Sequence, residues 1–96
     1  MSAKTNYEMV FVLHPASSEE ELTSLTEKIK HHVMTGGGEV MSLDVWGKRT
    51  LAYSIHKVNE GYYNLLKMSM DSTAVPAFER SLKLMEPLLR YLIVKP

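Results

Sequence analysis

The chain has 96 residues, of which 45% are hydrophobic and 23% charged, so one packed domain is expected and extended disorder is not. It has no cysteine, which rules out a disulfide framework and a thiolate metal site, and no apolar run reaches the ~18 residues of a membrane-spanning helix. Lys plus Arg is 11 and Asp plus Glu is 11, so a chain that held nucleic acid alone would lack the usual basic excess; its cations must be gathered on one patch, or a partner must help.

The first residues lack the apolar core of a signal peptide, and a cytoplasmic protein is expected. Residues 7–13 are apolar on both faces and carry Val and Phe, which predicts a central strand; His14-Pro15 ends it. Ser17 and Ser18 each stand three residues before a Glu, so either pair makes a capping box. Leu22, Leu25, Ile29 and Val33 then follow at helical spacing and form one buried stripe. Gly36-Gly37-Gly38 stops this helix, because glycine accepts the left-handed conformation of a helix end.

Residues 39–55 are long for one strand. Met41, Leu43 and Val45 alternate, then Leu51, Tyr53 and Ile55, with Gly47 between the sets marking a bulge or bend. Residues 56–60 read as a polar turn, and 61–70 return as the second strand of a hairpin. In that strand Tyr62, Leu66, Met68 and Met70 share one face, and Tyr63, Leu65, Lys67 and Ser69 the other. Asp71-Ser72-Thr73 starts a second helix, with Pro76 in its first turn and Val75, Phe78, Leu82 and Met85 buried; Pro87 ends it. Residues 88–95 form the last strand, whose facing the pattern leaves open: Leu89, Tyr91 and Ile93 compete with Leu88, Leu92 and Val94. The order is strand, helix, strand, strand, helix, strand. That order favours an α+β, ferredoxin-like β-α-β-β-α-β fold, a single domain with a four-stranded antiparallel sheet and two helices on one face. The other sheet face is left open.

The stretch Trp46-Gly47-Lys48-Arg49-Thr50-Leu51-Ala52-Tyr53 is the most informative. Two adjacent cations beside an indole and a glycine suit phosphate and base contacts, since Arg makes forked bonds and Trp offers a stacking surface. A solvated strand end with a core Trp is the competing reading. The stretch is not a phosphate-binding loop, lacking the upstream glycine and the hydroxyl after the Lys. Gly61-Tyr62-Tyr63 sits where RNA-recognition motifs carry Gly and aromatics, but Glu60 replaces the expected cation and Asn64 a stacking aromatic. Tyr62 therefore reads as core, and Tyr63 as the stacking candidate. His14, His31, His32 and His56 have no metal-site spacing, so no metal and no cofactor are expected. No Ser, His and Asp set has recognisable nucleophile spacing, and no catalytic residue is assigned.

Across nearly its whole length the chain resembles the bacterial small-subunit ribosomal protein S-six family. The resemblance rests on Tyr7-Glu8, Pro15, Gly38, Trp46-Gly47-Lys48-Arg49 with Leu51-Ala52-Tyr53 and Ile55, Gly61-Tyr62-Tyr63, and Leu89-Arg90 leading to Ile93-Val94-Lys95. It implies the same ferredoxin-like fold and a non-enzymatic place in the small ribosomal subunit. It also implies binding to the central domain of 16S ribosomal RNA as a heterodimer with small-subunit ribosomal protein eighteen, which would supply the cations this chain lacks. The RNA-binding positions it carries over are Lys48, Arg49 and Arg90, and more loosely Lys4. Trp46 and Tyr63 join them on chemical grounds. Thr50 and Leu89 stand where many members have further cations, so binding of RNA by the lone chain is expected to be weak. The isolated chain is expected to be a monomer.

Two other readings remain open at this point. A protein-interaction or ligand-sensing module of the same fold would homo-oligomerise through its sheet. A small phosphatase-like enzyme would need a cation or a glycine-rich cradle after the first strand, and His14-Pro15-Ala16-Ser17 offers neither.

Overall fold

The computed structural model describes residues 4–55 and 57–96, the side chains of 52–55 excepted. Its elements are β1 (Lys4–Leu13), α1 (Glu19–Thr35), β2 (Glu39–Ile55), β3 (Val58–Asp71), a 3-10 turn (Ser72–Ala74), α2 (Val75–Lys83) and β4 (Leu88–Val94). The strands form one antiparallel sheet in the order β2-β3-β1-β4. This is the ferredoxin-like arrangement expected from the pattern, with β1 central, and each helix links two strands that are separated by a third.

Alternation decides the core. Tyr7, Met9, Phe11 and Leu13 of β1 face the helices, in register with Met68, Leu66, Asn64 and Tyr62 of β3. Leu25, Ile29 and Val33 of α1 and Phe78 and Leu82 of α2 close over them. Leu22 joins that stripe half-buried. Asn64 is the buried polar residue among those described, and its Nδ2 donates to the Tyr62 carbonyl at 3.3 Å. An amide there without a partner would cost its full desolvation.

The ends of α1 follow from local chemistry. Of the two candidate boxes, Ser18 and Glu21 form the cap: Glu21 N–H donates to Ser18 Oγ and Ser18 N–H donates to Glu21 Oε1, both at 3.2 Å. At the far end Gly36 is not left-handed (φ −80); Gly37 is (φ 81). Gly38 N–H donates to the Val33 carbonyl and Gly37 N–H to that of Met34, which makes a Schellman motif. Gly38 also lies so close to β3 that a Cβ would stand 2.7 Å from the Ser69 carbonyl oxygen.

Several boundaries differ from the pattern reading. β1 begins three residues earlier, at Lys4, and β3 begins at Val58, because Ile55 pairs with Val58 and tightens the turn. Lys57 takes the left-handed conformation (φ 65) that this short connection requires. α2 ends at Lys83 rather than before Pro87; Leu84 and Met85 continue in a tight turn, donating to the Ser81 and Leu82 carbonyls. Pro87 serves β4 instead, its carbonyl accepting from His14 N–H at 2.8 Å. His56 and the side chains of Ala52, Tyr53 and Ile55 lie outside the described residues.

Bulges settle the facings that periodicity left open. In β4 the register shifts beside Leu89, between Val12–Arg90 and Leu13–Leu88. Leu88, Tyr91 and Ile93 consequently all pack on the core, while Arg90, Leu92 and Val94 face the open side. In β2 the register shifts at Met41 and again at Trp46. Val40 and Leu43 reach the core, and Met41 is thrown out to 60% exposure. The expected break near Gly47 is present, with Gly47 at φ 84.

Candidate nucleic-acid interface

The open sheet face is built from the residues that alternation turns away from the helices. Its cross-strand rows are Gly47–Tyr63–Val12–Arg90, Asp44–Leu65–Val10–Leu92 and Ser42–Lys67–Glu8–Val94. The middle of this face is apolar: Val12 is buried, Val10, Leu65 and Tyr63 are half-buried, and Leu92 and Val94 are exposed. Tyr63, Val10, Val12, Arg90 and Leu92 border a shallow depression. Tyr63 thus keeps the outward face expected of a stacking residue. Tyr62 and Asn64 point to the helix side, so the positions that carry stacking aromatics in an RNA-recognition motif are turned inward here.

Five of the six candidate RNA-binding residues gather at one end of the sheet. Trp46 is the extra residue of the β2 bulge beside Gly47, 43% exposed, and so not the core indole of the competing reading. Arg49 lies opposite Gly61 on the open side and is exposed, its Nη1 donating to the Lys48 carbonyl at 3.4 Å. Arg90 stands two strands away from Tyr63 in the same row. Lys48 is opposite Tyr62, on the helix side, with its Nζ 5.4 Å from the ring centroid. The adjacent cations therefore leave β2 in opposite directions, as alternation demands.

Lys4 does not join them. It starts β1 at the opposite end of the sheet, paired with Asp71, whereas the Tyr62 row meets Leu13. Nine residues of strand separate those rows, about 30 Å. Lys4 Nζ instead makes an ion pair with Glu39 at 3.6 Å. Lys57, in the tight turn of the β2–β3 hairpin, and Lys67, on the open face, are exposed cations that the motif reading passed over. Their signal was present in the alternation of 61–70 and in the turn, but not in any motif.

Among the described residues no three His, Asp or Glu side chains converge on a metal position. A cleft of about 370 Å³ lies between α1 and the sheet, with Leu22, Leu43, Val45, Tyr62 and Asn64 in its wall. Burial pushes the Tyr91 hydroxyl up from its ordinary value of 10.0, and the Glu79 carboxylate pushes the same way.

Comparison with known proteins agrees with this architecture. The small ribosomal subunit protein bS6 of Dictyoglomus turgidum is 48% identical over 87 residues, which are 91% of this chain and 90% of that protein. That of Clostridium kluyveri is 43% identical over 89 residues, 93% and 94% of the two chains. The crystal structure of 30S ribosomal protein S6 from Thermotoga maritima matches with a TM-score of 0.91 at 26% identity, over 97% of this chain and 88% of that one. The family described as ribosomal protein S6 matches residues 6–95, from within the first strand to just past the last, and the chain belongs to it.

Proposed function

We propose that this chain is a non-enzymatic constituent of the bacterial small ribosomal subunit, working in the cytoplasm, that binds the central domain of 16S ribosomal RNA together with small-subunit ribosomal protein eighteen. The observation that carries the reading is the division of its surface. Cations and an exposed indole collect at one end of the sheet, next to an apolar face that none of the described residues covers. With 11 cations against 11 anions, the first feature alone gives weak attraction for RNA, and the second suits a protein that brings more charge. Contacts from Lys48 and Arg49 to phosphates would position the RNA and carry no sequence information; the fold of the RNA and the partner would supply specificity.

Binding to a central-domain RNA fragment, with and without protein eighteen and across a salt series, tests this. Tight binding is expected only with the partner, and Lys48→Ala/Arg49→Ala should flatten the salt slope by about two. No binding in either case at low salt would remove the RNA reading. The uncovered apolar face also supports a second reading, a homo-oligomeric interaction module. Sedimentation of the isolated chain separates the two, since a ribosomal constituent of this kind is expected to be a monomer and the module a dimer or larger.

A further inference from the structure

Lys48 and Arg49 are neighbours in sequence but not in space. Lys48 sits opposite Tyr62 and turns toward α1; Arg49 sits opposite Gly61 and turns toward the open face. Only the backbone of β2, an edge strand, lies between them. Both are exposed, and Trp46 bulges from the same edge. A nucleic-acid backbone lying flat on the open sheet face would meet Arg49 and miss Lys48. One that crosses the β2 edge meets both.

The two cations are also held differently. Arg49 is steadied by a hydrogen bond to the neighbouring Lys48 carbonyl. Lys48 has an aromatic ring beneath it: its Nζ lies 5.4 Å from the Tyr62 centroid, within the range of a cation–π contact. Tyr62 packs half-buried against the core, and its backbone carbonyl accepts from the buried Asn64 amide. The ring thus lies against the core and under a side chain that would otherwise sample many rotamers. Holding an ammonium over a ring leaves its outer hydrogens free to donate to a phosphate, and it lowers the entropy lost on binding.

We infer that Tyr62 is a positioning residue for RNA binding: its ring holds the Lys48 ammonium on the helix side of β2 so that Lys48 and Arg49 grip phosphates from both sides of that edge. The inference rests on the proposed RNA-binding function and adds to it the direction of approach and the role of a tyrosine that looks like core.

The experiment uses the chain with its ribosomal partner protein and a central-domain RNA fragment. Tyr62→Leu should weaken binding about two- to five-fold, the worth of an exposed cation–π contact. Tyr62→Phe should bind like the parent chain. In a Lys48→Ala background, Tyr62→Leu should change nothing further. Equal weakening in both backgrounds, or no weakening in either, would overturn the inference. Should Tyr62→Leu fail to fold, the parent chain still gives a test by NMR. The Lys48 ε-methylene protons, next to the Nζ that lies over the ring, must show upfield ring-current shifts that Tyr62→Phe preserves, and their absence also overturns it. A parent chain that shifts these protons yet binds no RNA with its partner would instead sink the RNA reading itself.

Discussion

Gly61 shows how one hydrogen atom in place of a methyl shapes the interface. It is buried beside Arg49, and a Cβ built on it collides with Cγ1 of Val12 while standing 3.3 Å from the Leu13 carbonyl oxygen. The strand pair closes only because that side chain is missing. Gly61→Ala should therefore destabilise the fold by about 1–3 kcal/mol, the usual cost of overpacking. Val12→Ala removes the colliding methyl, so adding Gly61→Ala to it should cost less than half as much in urea denaturation. Equal costs in the two backgrounds would mean that the collision is not the cause. Tyr91 makes a different residue-scale prediction. Burial first, and Glu79 second, raise its folded pKa above 10.0. A folded pKa above the unfolded one favours the protonated state, so the contribution is whole below pH 10 and is lost as pH rises through the folded value. The stability difference between the parent chain and Tyr91→Phe should be flat from pH 7 to about 9, then fall against the parent above about pH 10. A flat difference up to pH 11 would show that Tyr91 titrates as freely in the folded chain as in the unfolded one.

At the scale of elements, what could be read in advance was whatever is decided locally. The alternation of residues 61–70 assigned both faces of β3 correctly, and the stripe Leu25, Ile29, Val33 fixed the buried side of α1. Two serines offered equally good caps, and the choice between them came from where the chain leaves the turn after β1. Ser17 N–H is already committed to the His14 carbonyl at 3.1 Å, and Ser18 is left to cap. Ser18→Ala should cost about 1 kcal/mol by thermal or urea unfolding, whereas Ser17→Ala should stay within about 0.5 kcal/mol; the reverse ranking would reassign the cap. What could not be read were the bulges. Leu89 and Met41 shift their strands by one residue, and a shift of one exchanges every face beyond it. That is why the facing of β4 stayed open and why Met41 was placed with Leu43. The candidate site was legible to the same extent. Trp46, Lys48 and Arg49 lie together because they are adjacent, but their division between two faces depends on register. The distance of Lys4 depends on which row of β1 meets the hairpin.

For the molecule as a whole, zero net charge stands against the proposed binding of RNA, and the open sheet face is where the proposed partner would relieve that tension. Leu92 lies in the row Asp44–Leu65–Val10–Leu92, at the centre of that face, and is 54% exposed in the free chain. An aspartate at that position would be solvated before association, so Leu92→Asp should change the stability of the isolated chain by less than about 1 kcal/mol. Covered by a partner, the same carboxylate would lose its water beside Val10 and Leu65, at a cost of about 3 kcal/mol or more. Association with protein eighteen should accordingly weaken by more than about a hundredfold in sedimentation or titration calorimetry. RNA binding should weaken with it, since in the proposed assembly the partner brings the further cations. Met41→Asp, exposed on the outer edge of β2 and away from that row, should leave association unchanged. Lys48→Ala/Arg49→Ala should do the converse of Leu92→Asp, keeping the heterodimer and losing RNA. If Leu92→Asp associates normally and Met41→Asp does not, the partner docks on the β2 edge. The RNA would then have to leave that edge, and the two-sided grip by Lys48 and Arg49 would fall with it.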